Sequence, residues 1–320
     1  MSAPRSGRRL RILTWHVHGN YLYNLTQLPH DFHLVTDEAK SMHRTGRSGT
    51  LPWGDNVFEV QAPEVTRMDF DVVLYQSRDT WDGDRHTLLS EAQRRLPCVY
   101  LEHDPPQAHP TNTVHWVDDA SAMLVHVTPF NALMWDSGRT PVRVIEHGVK
   151  PLAEARWHGE TARGIVVVNN IDRRGRRLGL DVYRDVAAHV PLTLVGMGSE
   201  RCGGEGEVPN HALPGRVAAH RFFFNPIRYT SLGLAVIEAM MVGAPVVALA
   251  TTELVSVIRH GHNGLIDTRI DRLADGMARL LKDPSEAAAL GEAGRRTANE
   301  RFHIDRFIGD WCKVLAEVAG

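Results

Sequence analysis

The chain has 320 residues, with 36 Lys and Arg against 38 Asp and Glu, a net charge of -2 and 43% hydrophobic residues. That length suits two domains of ordinary size, and the composition excludes a disordered, collagenous or coiled-coil chain. A balance this close to neutral also argues against a protein that holds nucleic acid by bulk charge.

In chain order, short apolar runs alternate with amphipathic stretches, the mark of βα units and parallel sheets. In the first half, strands are expected at residues 10–15, 32–36, 71–76, 98–103, 123–127 and 142–145. Helices are expected at 87–95 and 129–135, and residues 40–56 read as a long loop. Pro151 and scattered polar residues interrupt the pattern around 148–159, where a boundary is expected. The alternation then restarts with strands at 165–168, 192–195, 221–224 and 246–249. Helices follow from the patterns at 178–189, 234–241, 270–281, 285–300 and 304–319. The reading is α/β, two doubly wound domains, with ligand sites expected outside the carboxyl ends of the strands and across the cleft between the domains.

Cys98, Cys202 and Cys312 are odd in number, far apart and without CxxC spacing, which suits a reducing compartment. No apolar run approaches the ~20 residues of a membrane helix. The basic N-terminus is followed by an apolar stretch too short for a secretory signal and broken by His16 and His18. A cytoplasmic protein without a membrane span is the expectation.

The most informative segment runs from residue 225 to 263. After an apolar strand come a polar turn, Gly233, and a helix in which Glu238 is surrounded by Leu234, Ala235, Val236, Ile237, Ala239, Met240 and Met241. A carboxylate in such company is costly unless compensated, and one turn past a helix start it can accept hydrogen bonds from ligand hydroxyls. The free amides of that helix start suit an anion. Read structurally instead, the same Glu reaches solvent or caps a neighbour.

This segment resembles the signature of family-4 retaining glycosyltransferases of the GT-B fold. The matching elements are Asn225-Pro226, Leu232-Gly233-Leu234, Glu238-Ala239-Met240 and Gly243-Ala244-Pro245-Val246-Val247. Ile145-Glu146-His147-Gly148-Val149 resembles the hinge motif, and Leu194-Val195-Gly196-Met197-Gly198 resembles the Val-Gly-x-Gly strand end. Gly261-His262-Asn263-Gly264-Leu265, Leu281-Lys282-Asp283-Pro284 and Ala293-Gly294-Arg295 match the closing pattern. The resemblance implies two Rossmann-like domains facing across a cleft. The acceptor-side domain would be residues 1–148, joined by a returning C-terminal helix at 303–320, and the donor-side domain residues 149–302.

It also implies roles. Glu238 would hold the ribose hydroxyls of a nucleotide-diphosphate sugar, and Ser231, Leu232, Gly233 and Leu234 would offer amides to the diphosphate. Gly196 would line the donor site. The basic loop Asn169-Asn170-Ile171-Asp172-Arg173-Arg174-Gly175-Arg176-Arg177 would supply diphosphate contacts from Arg173, Arg174 or Arg177. Arginine suits phosphate geometry and is otherwise disfavoured at a helix start; the structural alternative is a solvated basic turn. His103, at a strand end, would reach the donor sugar, with Asp104 fixing its ring. Eight residues before Glu238, where the family has its first Glu, stands Thr230, able to exchange one hydrogen bond but without charge. Thr251-Thr252 replace the Gly-Gly that often precedes the Glu of the next loop, here Glu253. The first loop, with His16, His18, Gly19 and Asn20, would approach the acceptor.

The expected activity is retaining, metal-independent glycosyl transfer to a small-molecule or glycan acceptor, with neither cofactor nor nucleic acid. A partner subunit or non-catalytic nucleotide-sugar binder is the alternative that Thr230 motivates. A sugar-nucleotide epimerase and a metal hydrolase are two others; for the latter, His16 and His18 would share one strand face, with His103, His109 and His115 downstream. No HExxH, Walker loop or Gly-x-Ser-x-Gly elbow occurs.

Overall fold

The computed structural model describes residues 8–151 and 154–320; most of the basic N-terminal run lies outside the described residues. They divide into two compact units, one comprising residues up to 148 together with 304–320, the other residues 149–303.

The first unit contains β1 (Arg11–Thr14), α1 (Gly19–Leu25), β2 (Asp31–Thr36), β3 (Val57–Gln61), β4 (Val72–Tyr75), α2 (Arg85–Thr87) and α3 (Glu91–Arg94). It continues through β5 (Cys98–Glu102), β6 (Ala122–His126), α4 (Pro129–Met134) and β7 (Val142–Val144). The second unit contains β8 (Thr161–Val167), α5 (Leu180–Ala187), β9 (Leu192–Val195), α6 (Leu213–Ala219), β10 (His220–Asn225) and α7 (Leu234–Val242). Then come β11 (Val246–Leu249), α8 (Leu254–Val257), β12 (Leu265–Asp267), α9 (Ile270–Lys282) and α10 (Pro284–Arg301). The last helix, α11 (Ile304–Ala319), belongs to the first unit.

Both sheets are parallel. The first has the order β3-β2-β1-β4-β5-β6-β7, so its direction reverses between β1 and β4. The second has the order β12-β11-β10-β8-β9 and reverses between β8 and β10. Each is therefore doubly wound, and in such sheets the crevice for a ligand opens at the reversal, beyond the carboxyl ends of the two strands.

The strands of the second sheet are apolar on both faces because helices cover both. Val166, Leu194, Phe222, Phe224 and Val247 pack on one side. Ile165, Val195, Phe223, Val246 and Ala248, the residues between them, pack on the other. A near-continuous apolar run is the expected signature of such strands, and it marked β5, β10 and β11 in the sequence. Buried Arg221 is an exception on β10. Its guanidinium donates to the carbonyls of Gly159, Leu280 and Leu281 at 2.8, 3.2 and 2.9 Å, closing the C-terminal end of α9.

Several elements depart from the sequence pattern for identifiable reasons. The helix expected at 87–95 is two short helices, because Ser90 caps a new one, forming reciprocal bonds with Gln93. An edge strand, β3, forms directly after the long loop; only Val57 and Val60 of its residues are buried. Pro214 and Gly215 hide α6, although Pro sits there in the first turn, where its missing N–H costs nothing. In the first loop the strand ends at Thr14 and His18 already precedes a helix, so His16 and His18 do not share a strand face.

His126 gives the first unit a contribution to stability that falls with pH. His126, last in β6, is fully buried, and neither ring nitrogen has a hydrogen-bond partner. Burial, with the nearby His115 adding to it, lowers its pKa to about 3. The unfolded chain takes up this proton below about pH 6.5 while the folded chain does not, so the contribution of His126 to stability falls as pH drops from 6.5 towards 3. His126→Leu removes that linkage. Between pH 8 and pH 5 the variant should lose about 2 kcal/mol less stability than wild type, read from urea unfolding at the two pH values.

Candidate active site

In the second unit, four loops leave the carboxyl ends of neighbouring strands and touch one another. The loop after β8 meets the loop after β9: Asn170 N–H donates to Met197 O at 2.7 Å, and Met197 N–H to Asn169 Oδ1 at 2.9 Å. Gly196 permits this approach. Its φ is +128°, and a side chain there would strike the Val168 carbonyl. The loop after β8 also meets the loop after β10, where Arg228 N–H donates to Arg177 O at 2.9 Å. The Arg228 guanidinium grips Asp181 at 2.5 and 2.8 Å and holds its carboxyl down to about 2. The Thr251 and Thr252 hydroxyls, after β11, donate to the carbonyls of Ile227 and Ser231, both at 3.3 Å.

The same loops carry the donor-side residues expected from sequence. Ser231 and Leu232 are buried, and Thr230, Gly233 and Leu234 half-buried, where the β10 loop runs into α7. The helix begins without a side-chain cap and without an acidic residue in its first turn, so its leading N–H groups are left for an anion. Glu238 is half-buried one turn further on. Arg173 and Arg174 are exposed and make no ion pair among the described residues, whereas Arg176 is paired with Asp181 at 2.9 Å. Arg201, unmarked in the sequence reading, reaches the loop as well and binds Asp172 through two bonds of 2.8 Å.

Thr252 stands in the left-handed region at φ +50°, where a β-branched residue is strained. This is the position that Gly commonly fills in the resembled pattern. Thr252→Asn keeps a polar side chain and tolerates that conformation. It should raise stability by about 1 kcal/mol, measured as a higher denaturation midpoint, while Thr252→Val should not.

In the first unit, the loops after β1, β4 and β5 meet at the other reversal point. His103, at the end of β5, is buried and lies 4.2 Å from the His18 ring and 4.8 Å from the Tyr21 ring, measured between centroids. Burial, with His18 and His147 adding to it, lowers its pKa well below the ordinary histidine value. Its Nε2 faces Gln76 Oε1 at 3.1 Å. The partner that fixes the ring is therefore Gln76 and not the expected Asp104, whose backbone N–H donates to Glu102 Oε1 and whose carbonyl accepts from Trp135. Glu102 itself is buried against His115, at 3.1 Å. Burial pushes the carboxyl up to about 8 and lowers the imidazole to about 4.

His16 turns away from His18. Its Nδ1 donates to Gly46 O at 2.7 Å and its ring stands edge-on to Trp53. Gly19 and Asn20 open α1. His109 lies on an exposed loop. Among the described residues, no three His, Cys, Asp or Glu side chains are arranged to hold a metal ion, and no helix is long and apolar enough to cross a membrane.

Solved structures share this architecture across nearly the whole chain. Sucrose-phosphate synthase from Thermosynechococcus elongatus aligns with a TM-score of 0.73 at 16% identity, covering 97% of this chain and 99% of that one. Anabaena HepE in complex with UDP and glucose aligns with a TM-score of 0.69 at 14% identity, covering 97% and 100%. The fold is that of the GT-B glycosyltransferases. Residues 200–297 match the family described as Glycosyl transferases group 1.

A Mycobacterium tuberculosis (strain H37Rv) protein, GDP-mannose-dependent alpha-(1-6)-phosphatidylinositol monomannoside mannosyltransferase, is 33% identical over 109 residues. The match takes in 31% of this chain and spans only 28% of that relative. N-acetyl-alpha-D-glucosaminyl L-malate synthase of Bacillus anthracis is 29% identical over 90 residues, or 28% of this chain and 24% of its own length.

Proposed function

We propose that the chain is a retaining, metal-independent glycosyltransferase that moves a sugar from a nucleoside-diphosphate sugar to an acceptor hydroxyl. The observation that carries this reading is a series of four strand-end loops bonded one to the next, of which the β10 loop runs into the uncapped start of α7. The leading amides of α7 bind the diphosphate. Arg173 or Arg174, neither committed to an ion pair among the described residues, adds positive charge beside it, and Glu238 accepts bonds from the ribose hydroxyls. His103 contacts a sugar hydroxyl.

Charge develops on the diphosphate as the bond from its oxygen to the anomeric carbon breaks. Fixed amides and arginines aimed at that charge supply what is usually the largest catalytic term, the task a divalent cation performs elsewhere. The departing phosphate oxygen takes the acceptor's proton on the face it leaves, so configuration is retained without a protein nucleophile.

The relatives' names include a GDP-sugar and the structures include a UDP complex, so the test spans bases. Melting temperature is measured against UDP, GDP, ADP and dTDP and their sugars, with EDTA present. A ligand at 100 times its dissociation constant adds about 2.7 kcal/mol, a shift of several degrees. One base should stabilise the protein; silence across the panel would overturn the reading. Thr230, uncharged at the start of the β10 loop's buried part, favours one second reading, a nucleotide-sugar binder without turnover. Several turnovers per protein with any acceptor would exclude it.

A further inference from the structure

Gln76 follows β4 at the reversal point of the first sheet and is buried. Its amide Nε2 donates to the Trp15 carbonyl and to Thr14 Oγ1, both at 3.0 Å. A carbonyl oxygen only accepts, so Trp15 determines which end of the amide is NH2. The Thr14 hydroxyl spends its own proton on Leu74 O at 2.8 Å and can only accept from Gln76. Both contacts leave Gln76 Oε1 facing His103, and an amide oxygen cannot donate. A ring that bonds to it must carry a proton on Nε2.

The ring is neutral, for reasons separate from that geometry: it is buried, and the titratable groups around it are His18, Tyr21 and His147, none of them a carboxylate. With one proton, on Nε2, its Nδ1 is a lone pair, and Nδ1 makes no hydrogen bond among the described residues.

We infer that Gln76 is a positioning residue that holds His103 as the Nε2–H tautomer, so that the ring meets its ligand through Nδ1 as an acceptor from a hydroxyl. The ligand half of this inference rests on the proposed function above; the tautomer half does not. It also defines a donor class. A sugar with a hydroxyl at that point completes the bond, whereas one carrying a carboxylate there confronts a lone pair and is rejected.

The test is a long-range 1H–15N spectrum of the histidine rings in the ligand-free protein, with His103 assigned by its disappearance in His103→Asn. Wild type should show the Nε2–H pattern; an Nδ1–H pattern overturns the inference whatever the activity. In Gln76→Met, which keeps the shape but loses the carbonyl, the pattern should become a mixture of tautomers. The KM for the sugar nucleotide should then rise roughly tenfold, the equivalent of one hydrogen bond, while the dissociation constant of the nucleoside diphosphate alone stays unchanged. Equal weakening of both ligands overturns the sugar contact. If no nucleoside diphosphate binds wild type, the proposed function and the sugar contact fail together, and the ring spectrum still decides the tautomer.

Discussion

Glu238→Ala should abolish the thermal stabilisation by nucleoside diphosphates and lower kcat/KM for transfer by about two orders of magnitude. A carboxylate that accepts from two hydroxyls makes two charge-assisted bonds, and losing them forfeits about 3 kcal/mol, which converts to that factor. Glu238 lies half-buried on a helix whose other residues hold the core through Val236, Ile237, Ala239 and Met240, so the variant should still fold, and its ligand shift is read against its own unliganded midpoint. Glu238→Gln keeps one acceptor oxygen and should retain part of the shift. Isothermal titration of both variants and wild type with the nucleotide that stabilises wild type checks this. Equal affinities would remove Glu238 from the ligand.

Gly179→Ala should destabilise the second unit by about 3 kcal/mol or more. Two penalties coincide there. The residue has φ +78°, a conformation that costs an L-residue about 1–2 kcal/mol. A Cβ built on it would also lie 1.9 Å from the Pro226 carbonyl oxygen, a backbone atom that cannot swing aside. The loops after β8 and β10 would have to separate at the point where Arg228 joins them to Asp181. Gly175→Ala is the internal control: its φ is +55° but nothing lies near its Cβ, so it should pay only the conformational penalty. Urea unfolding of the two variants side by side separates clash from strain. Equal midpoints would mean that the β10 loop yields without cost.

Much of the fold was legible because parallel strands covered on both faces are nearly unbroken apolar runs, as Phe222–Phe223–Phe224 and Val246–Val247 illustrate. What escaped was short: β3 buries two side chains, β12 has three residues, and α1 has seven. The loops that make up the candidate site could be located as strand ends, but not their mutual bonds. Gln76 and His103 are 27 positions apart in no motif spacing. Only the pairing of β4 with β5 brings them together, and pairing order is a property of the whole sheet. Adjacency in sequence suggests Asp104 as the orienting group, but the ring's hydrogen bond is to Gln76. Thr252 shows the reverse case, a residue odd in sequence whose strained backbone explains why a smaller one suits the place.

The membership of α11 in the first unit has a consequence for synthesis on the ribosome. Phe307, Trp311 and Leu315 are fully buried, Trp311 donates to the Tyr21 hydroxyl at 3.3 Å, and Gly148 leaves room for the Phe307 ring. These anchors are translated more than 150 residues after the sheet they complete. The second unit is contiguous and has all its parts once residue 303 has emerged, whereas the first waits, its docking surface uncovered, until residues 304–319 have followed. The order of completion is thus the reverse of the order of translation, and a nascent chain halted before residue 304 presents a finished second unit beside an exposed seam that chaperones and proteases can recognise.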